Sequence, residues 1–446
     1  MTMIKDMTAG PPWKMILAFS LPIMAGNLLQ QLYHTADTLI VGNTEGETAL
    51  SAVGACASLT ELFTALAIGF SIGAGVLIAQ YCGAHREEML RRYASTAILF
   101  LVGMGVVVSL FGVAAGEYIL KNLLNVPAPM LELSILYFRI YALGLVFQFG
   151  YNIFAAILQA VGDSKATLYF LVISSAVNIL LDLWFVRLWG VAGAAAATVI
   201  SQLCACAAGG IYMGRKYEIL RFSLRELRFE KEKACDVLRV GMPMALQYTV
   251  MHFGILILQR LVNSYGQAMI ASFTVAVRLQ GWITIPVKGL QTTMTTFAGQ
   301  NVGAGERGRL PLGLWQSIGM SVGITMILAA AVYGFMGSIV QGFGIDAEAE
   351  QICLRHLRVM IPSVLMYAAY FPMNGMFQGV GDGVHASAYA LLALTLRILF
   401  SYTLSTLEFW GYTAIWWSET YAWIIVITVY YVYYFRGKWK NKVLIS

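Results

Sequence analysis

The chain has 446 residues, of which 59% are hydrophobic and only 12% charged, with a formal net charge of +6. A water-soluble globular domain carries about 25% charged residues, so this composition excludes one and describes a polytopic membrane protein. The basic excess does not indicate nucleic acid, because its placement alternates along the chain. Arg86, Arg91, Arg92, Lys165, Arg307, Arg309, the cluster from Arg215 to Arg239 and the tail from Arg436 to Lys442 share one side with Lys5 and Lys14. The connections on the other side carry Glu45, Glu47, Asp346, Glu348 and Glu350. The positive-inside bias then puts both termini in the cytoplasm.

A helix needs about 20 apolar residues to cross a hydrocarbon core of about 30 Å. Segments of that kind fall at 16–41, 49–80, 93–119, 131–157, 166–187, 190–213, 241–263, 269–298, 310–340, 351–377, 385–406 and 411–435. The fold class is therefore all-α, with twelve transmembrane helices. Residues 1–15 show no cleavable signal pattern and read as a cytoplasmic tail. An N-terminal lobe at 16–213 and a C-terminal lobe at 241–435 flank a linker at 214–240, and 436–446 form a basic cytoplasmic tail. The linker is the longest charged segment and reads as a helix with a solvated face. The six cysteines have neither disulfide-framework nor zinc-like spacing.

The first span contains "LYHTADTLIVG", which sets Asp37 where lipid penalises a charge by roughly 3 kcal/mol. Asn27, Gln30, Gln31, His34 and Asp37 follow steps of three or four, forming a polar stripe on one helix face. Such a stripe is either a polar packing seam between helices or the wall of a water-accessible cavity. The acid favours the cavity, since intramembrane acids mark ion or proton pathways. The second span holds "GFSIGAG", which has no preceding strand and no following Lys-Ser/Thr, so it is no phosphate loop. Gly69 and Gly73 read instead as points of close helix approach. In the fifth span Asn178 and Asp182 lie four apart on one face. Asp182 could also be a snorkelling acid paired with Arg187. In the C-terminal lobe, Lys288 and Glu419 are candidates for the cavity or for a structural ion pair, whereas Arg278 and Arg397 read as snorkelling anchors nearer the segment ends. His252 reads as a packing residue.

The two halves repeat each other. "SLPIMAGNLLQQLY" at 20 matches "GMPMALQYTVMHFG" at 241, "AQYCGAHRE" at 79 matches "GQNVGAGER" at 299, and "ILQAVGDSKA" at 157 matches "MFQGVGDGVH" at 376. "WGVAG" at 189 matches "WGYTA" at 410. Six spans per half is an even number, so the lobes share one orientation and a pseudo-two-fold axis along the membrane normal relates them, with a cavity between. Under this register Asp37 aligns with Leu258, Asp182 with Ser401 and Thr198 with Glu419. The acids of the first and fifth spans are a specialisation of the first half.

These motifs resemble the multidrug and toxic compound extrusion (MATE) antiporters over essentially the whole chain, and within them the bacterial DinF-like branch. The resemblance rests on Pro22 with "LYHTADTLIVG", the "AQYCGA" and "GQNVGAG" loops, and the paired "LQAVGD" and "FQGVGD" loops. It implies a cation site at Asp37, Asn178, Asp182 and Thr198, holding H⁺ or Na⁺, with Asn27, Gln30, His34, Lys288 and Glu419 as cavity candidates. His34 departs from the family pattern, where an asparagine is common. The acids that the NorM-like branch carries in its seventh and tenth spans have no counterpart here. The implied activity is cation-coupled efflux of lipophilic organic cations by alternating access. It implies a bacterial cytoplasmic membrane, a monomer in the lipid bilayer, no cofactor beyond the coupling ion, and no nucleic-acid partner. Two neighbouring acids resist simultaneous ionisation, which suits a proton carrier, while four oxygen-bearing side chains suit Na⁺. The alternative is a lipid-linked sugar flippase of the same superfamily, for which Lys288 is the supporting feature. A membrane enzyme would need a nucleophile–base set or a metal motif such as HExxH, and neither is present in the sequence.

Overall fold

The computed structural model describes residues 6–223, 226–442 and 444, with the backbone but not the side chains of His34, Thr38, Leu39, Glu47 and Leu50. The candidate His34 side chain thus lies outside the described residues. Twelve long helices follow in order: α1 (Pro12–Gly46), α2 (Ser51–Gly83), α3 (Glu87–Tyr118), α4 (Ala128–Ala160), α5 (Ser164–Trp189) and α6 (Val191–Lys216), then α7 (Lys231–Asn263), α8 (Gln267–Gly303), α9 (Arg309–Gln341), α10 (Ala347–Gly379), α11 (Gly383–Leu404) and α12 (Ala414–Arg436). Gly46, at φ 82°, breaks the path between α1 and α2. Among the described residues eleven of the helices are long and apolar enough to span a membrane. The exception, α12, is rich in Trp and Tyr, whose polar edges lower its hydropathy.

Helix ends agree with the sequence reading to within six residues, except that α7 begins at Lys231, ten residues early. Its first turns are charged, and hydropathy marks where a helix meets lipid rather than where it starts. The chain divides into two compact units, one holding Leu21–Thr249 and the other Ala9–Ser20 with Val250–Leu444. The division falls inside α7 and not in the linker.

Only part of the linker is the helix its charge pattern suggested: residues 214–216 end α6 and 231–240 begin α7, while the described residues between are not α-helical. Apart from one short turn at Glu218–Leu220, residues 217–223 and 226–230 lack regular helix. They lie along α3, which supplies hydroxyls where a helix would supply its own carbonyls. Ser95 Oγ accepts from the Arg228 amide at 2.8 Å and donates to its carbonyl at 3.1 Å. Arg91 pairs with Glu226 at 3.0 Å, and Arg92 with Glu230 at 2.5 Å. The Arg92 hydrogen bond, with help from Lys233 and against partial burial, holds the Glu230 carboxyl at about 2, below its ordinary 4.5.

The repeated loops fold alike. At "VGD" the amide of Asp163 reaches back to Leu158 O at 2.8 Å and that of Gly162 to Gln159 O at 2.9 Å. Asp382 and Gly381 make the same bonds to Phe377 and Gln378, at 2.8 and 3.0 Å. This is the paired-bond helix stop that needs a left-handed residue, and Gly162 (φ 87°) and Gly381 (φ 91°) supply it. The carboxylates are then clasped separately. Asp163 takes Lys216 Nζ at 2.7 Å, Tyr217 OH at 2.9 Å and Tyr212 OH at 3.0 Å. Burial works to raise its pKa, but these three donors prevail and hold the carboxyl below the usual range. Asp382 takes His385 Nδ1 at 2.8 Å, Lys442 Nζ at 3.3 Å and the Tyr433 hydroxyl.

Close approach explains "GFSIGAG". A Cβ on Gly69 would stand 2.2 Å from Ala245 Cα, and one on Gly73 would stand 2.3 Å from Gly241 Cα. Small residues spaced by one turn on α2 thus meet small residues spaced by one turn on α7, all within the first unit. Gly73→Val should therefore destabilise the protein by more than about 3 kcal/mol, because the obstacle is backbone. Thermal unfolding in detergent checks this, with Gly103→Val, which faces open space, as control. The linker gives a second prediction. A folded-state value near 2 means that the Glu230 contact is intact above about pH 4.5 and is lost as pH falls towards 2. Amide exchange in residues 226–230 should stay protected from pH 8 to pH 5, and Glu230→Gln should release it throughout that range.

Candidate functional site

The stripe on α1 is partly open: Gln30 and Gln31 are exposed, while Asn27 and Asp37 are half-buried. α5 presents Asn178 and Asp182, 1% and 0% exposed. The Asp182 carboxyl lies against that of Asp37. Among the described residues Asp37 Oδ1, both Asp182 oxygens and both amide atoms of Asn178 have no hydrogen-bond partner. Two carboxylates can only accept hydrogen bonds, so the pair holds together when a proton or cation lies between them. Without one, two charges would face each other largely out of water, at a cost that no hydrogen bond to Asp37 Oδ1 or to Asp182 offsets among the described residues. The oxygens of Asp37, Asp182 and Asn178 suit a hard cation as well as a proton. Asp182 forms no ion pair with Arg187 among the described residues; Arg187 is exposed while Asp182 is fully buried.

Phenols surround the acids. Tyr33, one turn before Asp37, has Asp37, Asp182, Tyr141 and Tyr151 within electrostatic reach, and Tyr137 has Asp37, Tyr33 and Tyr141. Tyr141 OH donates to Gln148 Oε1 at 3.0 Å, and Gln148 Nε2 donates to Thr64 Oγ1 at 2.8 Å. Thr198 shares a small cleft with Tyr141, Gly144, Gln148 and Gln202, and its hydroxyl donates to Ala194 O of its own helix at 3.1 Å. Thr198 therefore meets the tyrosine network, with its one proton committed elsewhere. Glu61 lies three residues before Thr64 and is within reach of Tyr141. It is exposed, in line with Ser51, Gly54 and Ala57, while Ala52, Cys56, Leu59 and Phe63 form the buried face of α2. A small, polar exposed face inside an apolar span is suited to water rather than to lipid.

The second half answers the same problem differently. Glu419 is 4% exposed and pairs with Arg397 at 2.9 Å. It also accepts from Gln280 Nε2 at 2.7 Å and from the Tyr367 hydroxyl. Arg397 is thus no snorkelling anchor: a buried carboxylate needs a counter-charge, and Arg397 provides it. Lys288 is exposed on α8. At the repeat positions of the two acids, Leu258 and Ser401 are buried, and Ser401 Oγ meets Ser418 Oγ at 2.6 Å.

The structure brings Asp37 and Asp182 together with Asn178 one turn away, and sets Thr198 beside their tyrosine shell. Sequence reasoning missed Tyr33, Thr64, Tyr137, Tyr141 and Gln148, although Tyr137, Tyr141 and Gln148 share the spacing of one helix face. It also passed over Glu61, the lone acid of its span, which carried the same signal as Asp37.

A family model described as MatE matches residues 22–184 and again 243–403, once in each repeat. A "Probable multidrug resistance protein YpnP" of Bacillus subtilis is 27% identical over 98% of this chain and 97% of its own length. A "Multidrug export protein MepA" of Staphylococcus aureus is 25% identical over 92% of this chain and 90% of its own. In fold, the chain is similar to a solved structure described as the outward-facing conformation of a multidrug resistance MATE family transporter of the MOP superfamily. The TM-score is 0.92 and the identity 24%, over 99% of both chains. With both repeats matched by one model and the twelve-helix fold shared end to end, the chain belongs to the MatE family and is a multi-pass membrane transporter, not an enzyme.

Proposed function

We propose that the protein is a cation-coupled efflux antiporter of the bacterial cytoplasmic membrane, working as a monomer with both termini in the cytoplasm. Asp37 and Asp182 take up H⁺ or Na⁺ from outside and release it inside, with Asn178 as a further oxygen ligand and Thr198 at the edge of the site. The expelled compound is a lipophilic organic cation, in keeping with the multidrug names of the relatives. The observation that carries this reading is the buried Asp182 carboxyl of α5 against half-buried Asp37 of α1, with Asp37 Oδ1 and both Asp182 oxygens lacking a hydrogen-bond partner among the described residues. Every buried carboxylate at a loop or in the second half, by contrast, has a partner: Asp163 has Lys216, Asp382 has His385, and Glu419 has Arg397. Coupling requires that the ion favour one arrangement of the molecule over the other, because a ligand indifferent to both shifts nothing. The polar face of α1 and the exposed face of α2 with Glu61 would carry the water and the cationic substrate.

A lipid-linked sugar flippase remains the second reading, and exposed Lys288 favours it, since a diphosphate would seek such a cation. Loss of transport in Lys288→Ala with Asp37→Asn unaffected would select it.

The deciding experiment is efflux from proteoliposomes under imposed proton or sodium gradients. Asp37→Asn keeps size and hydrogen bonding while removing the titratable charge. It should fold, bind substrate and fail to move it against a gradient; Asp182→Asn should match it. The double variant should be little worse than either single one, because residues of one site do not add. Uphill transport by Asp37→Asn at the wild-type rate would end the proposal. For orientation, Cys235 is exposed on the first turn of α7, whereas Cys82 is buried and makes a poor reporter. An impermeant thiol reagent should label Cys235 in inverted vesicles and leave it unlabelled in intact cells.

A further inference from the structure

The repeat register that relates the halves sends Asn178 to Arg397, Asp182 to Ser401 and Thr198 to Glu419. In the first half Asn178 and Asp182 hold unpartnered oxygens, Asp182 lying against Asp37, while Thr198 stands beside Tyr141 and Gln148 with its hydroxyl on Ala194 O. In the second half they hold a guanidinium on a carboxylate, Arg397 to Glu419 at 2.9 Å, with Ser401 turned to Ser418 at 2.6 Å. We infer that Arg397 is a tethered cation: its guanidinium fills, in the second repeat, the place that a transported cation takes in the first. Beneath it lies a latent cation site made of Glu419, with Gln280 and Tyr367 on its other oxygen. The second half is then permanently in the ion-bound form, and one half alone responds to the ion.

The surroundings agree with a plug. Gln280 comes from α8, Tyr367 from α10 and Arg397 from α11, so three helices converge on one carboxylate of α12. Among the described residues, His356 of α10 is, besides the Tyr367 phenol, a further titratable group near the pair, within reach of Arg397 and stacked between Phe273 and Trp416 at ring separations of 5.9 and 5.0 Å. A compact buried carboxylate with an oxygen-rich neighbourhood is a site for H⁺ or Na⁺ once the arginine is withdrawn. Removing one partner of such a pair leaves an uncompensated buried charge, which something must neutralise.

The inference rests on the reading of Asp37 and Asp182 as an ion site, and the test separates the two. Full-length protein carrying Asp37→Asn and Asp182→Asn is unfolded by heat in detergent between pH 5 and pH 9, with sodium or choline chloride. In that background the transition should be flat in pH and sodium; a surviving dependence of the wild-type size would count against the first-half site alone. Adding Arg397→Gln should create a new dependence, with the midpoint rising by roughly 4 °C or more on acidification or on addition of sodium. Adding Glu419→Gln as well should abolish it, which also excludes His356 as its source. A flat response in Arg397→Gln, or a dependence that survives Glu419→Gln, overturns the tethered cation. If Arg397→Gln cannot be purified at pH 8, preparation at pH 5.5 in sodium becomes the readout. Folded recovery there supports the inference, and failure there beside normal recovery of Arg397→Lys overturns it.

Discussion

A carboxylate removed from water must be matched by something positive, and the way each acid of this chain meets that demand organises the molecule. Near the ends of the helices the demand is met by the chain itself, through Lys216 on Asp163 and His385 with Lys442 on Asp382. Those acids also stand at the starts of α5 and α11, and the Asp163 carboxylate accepts from the Ala166 amide there. On α1 and α5 the demand is left open at Asp37 and Asp182. An open demand costs stability, and in the function proposed above an outside ion meets it for part of the working cycle.

The internal repeat makes this contrast unusually clean. The backbone devices are shared: the same paired-bond helix stops at Gly162 and Gly381, and the same turn after α2 and α8, where Glu306 reaches back to Asn301 O and Arg86 to Tyr81 O. The chemistry is not shared. His85 even stands at φ 52° where the second repeat has Gly305 at φ 80°, so the turn geometry persists without the residue that most easily adopts it. The two halves thus share their scaffold and differ in the side chains set on it.

The fold was legible because lipid imposes one simple rule on backbone groups, and the rule writes itself as long apolar runs. The twelve helices, the duplicated loops and the glycine contact at Gly69 and Gly73 all follow from runs, spacing and small size. The acids Asp37 and Asp182 stood out because charge inside such a run is rare. What escaped was polarity disguised as aromatic bulk: Tyr33 and Tyr137 stand within electrostatic reach of Asp37, and the Tyr141 hydroxyl donates to Gln148. The linker misled for the opposite reason: its alternating charges promise a helix, but Ser95 and Thr96 of α3 offer its backbone better partners than its own turns do. Arg397 was misplaced because distance from a segment end says nothing about which carboxylate waits across the bundle.

The polar stripe of α1 also bears on how the chain is made. Helices leave the ribosome in order, and of the first three spans α1 is the least apolar, burdened by Asn27, Gln30, Gln31 and Asp37. α2 and α3 are far more hydrophobic, and Arg86, Arg91 and Arg92 fix the side on which their connection stays. α1 is therefore the weakest of the three as a signal for entering lipid, and α2 and α3 the stronger. The polar residues that open one face of α1 are the same ones that weaken its claim on the bilayer.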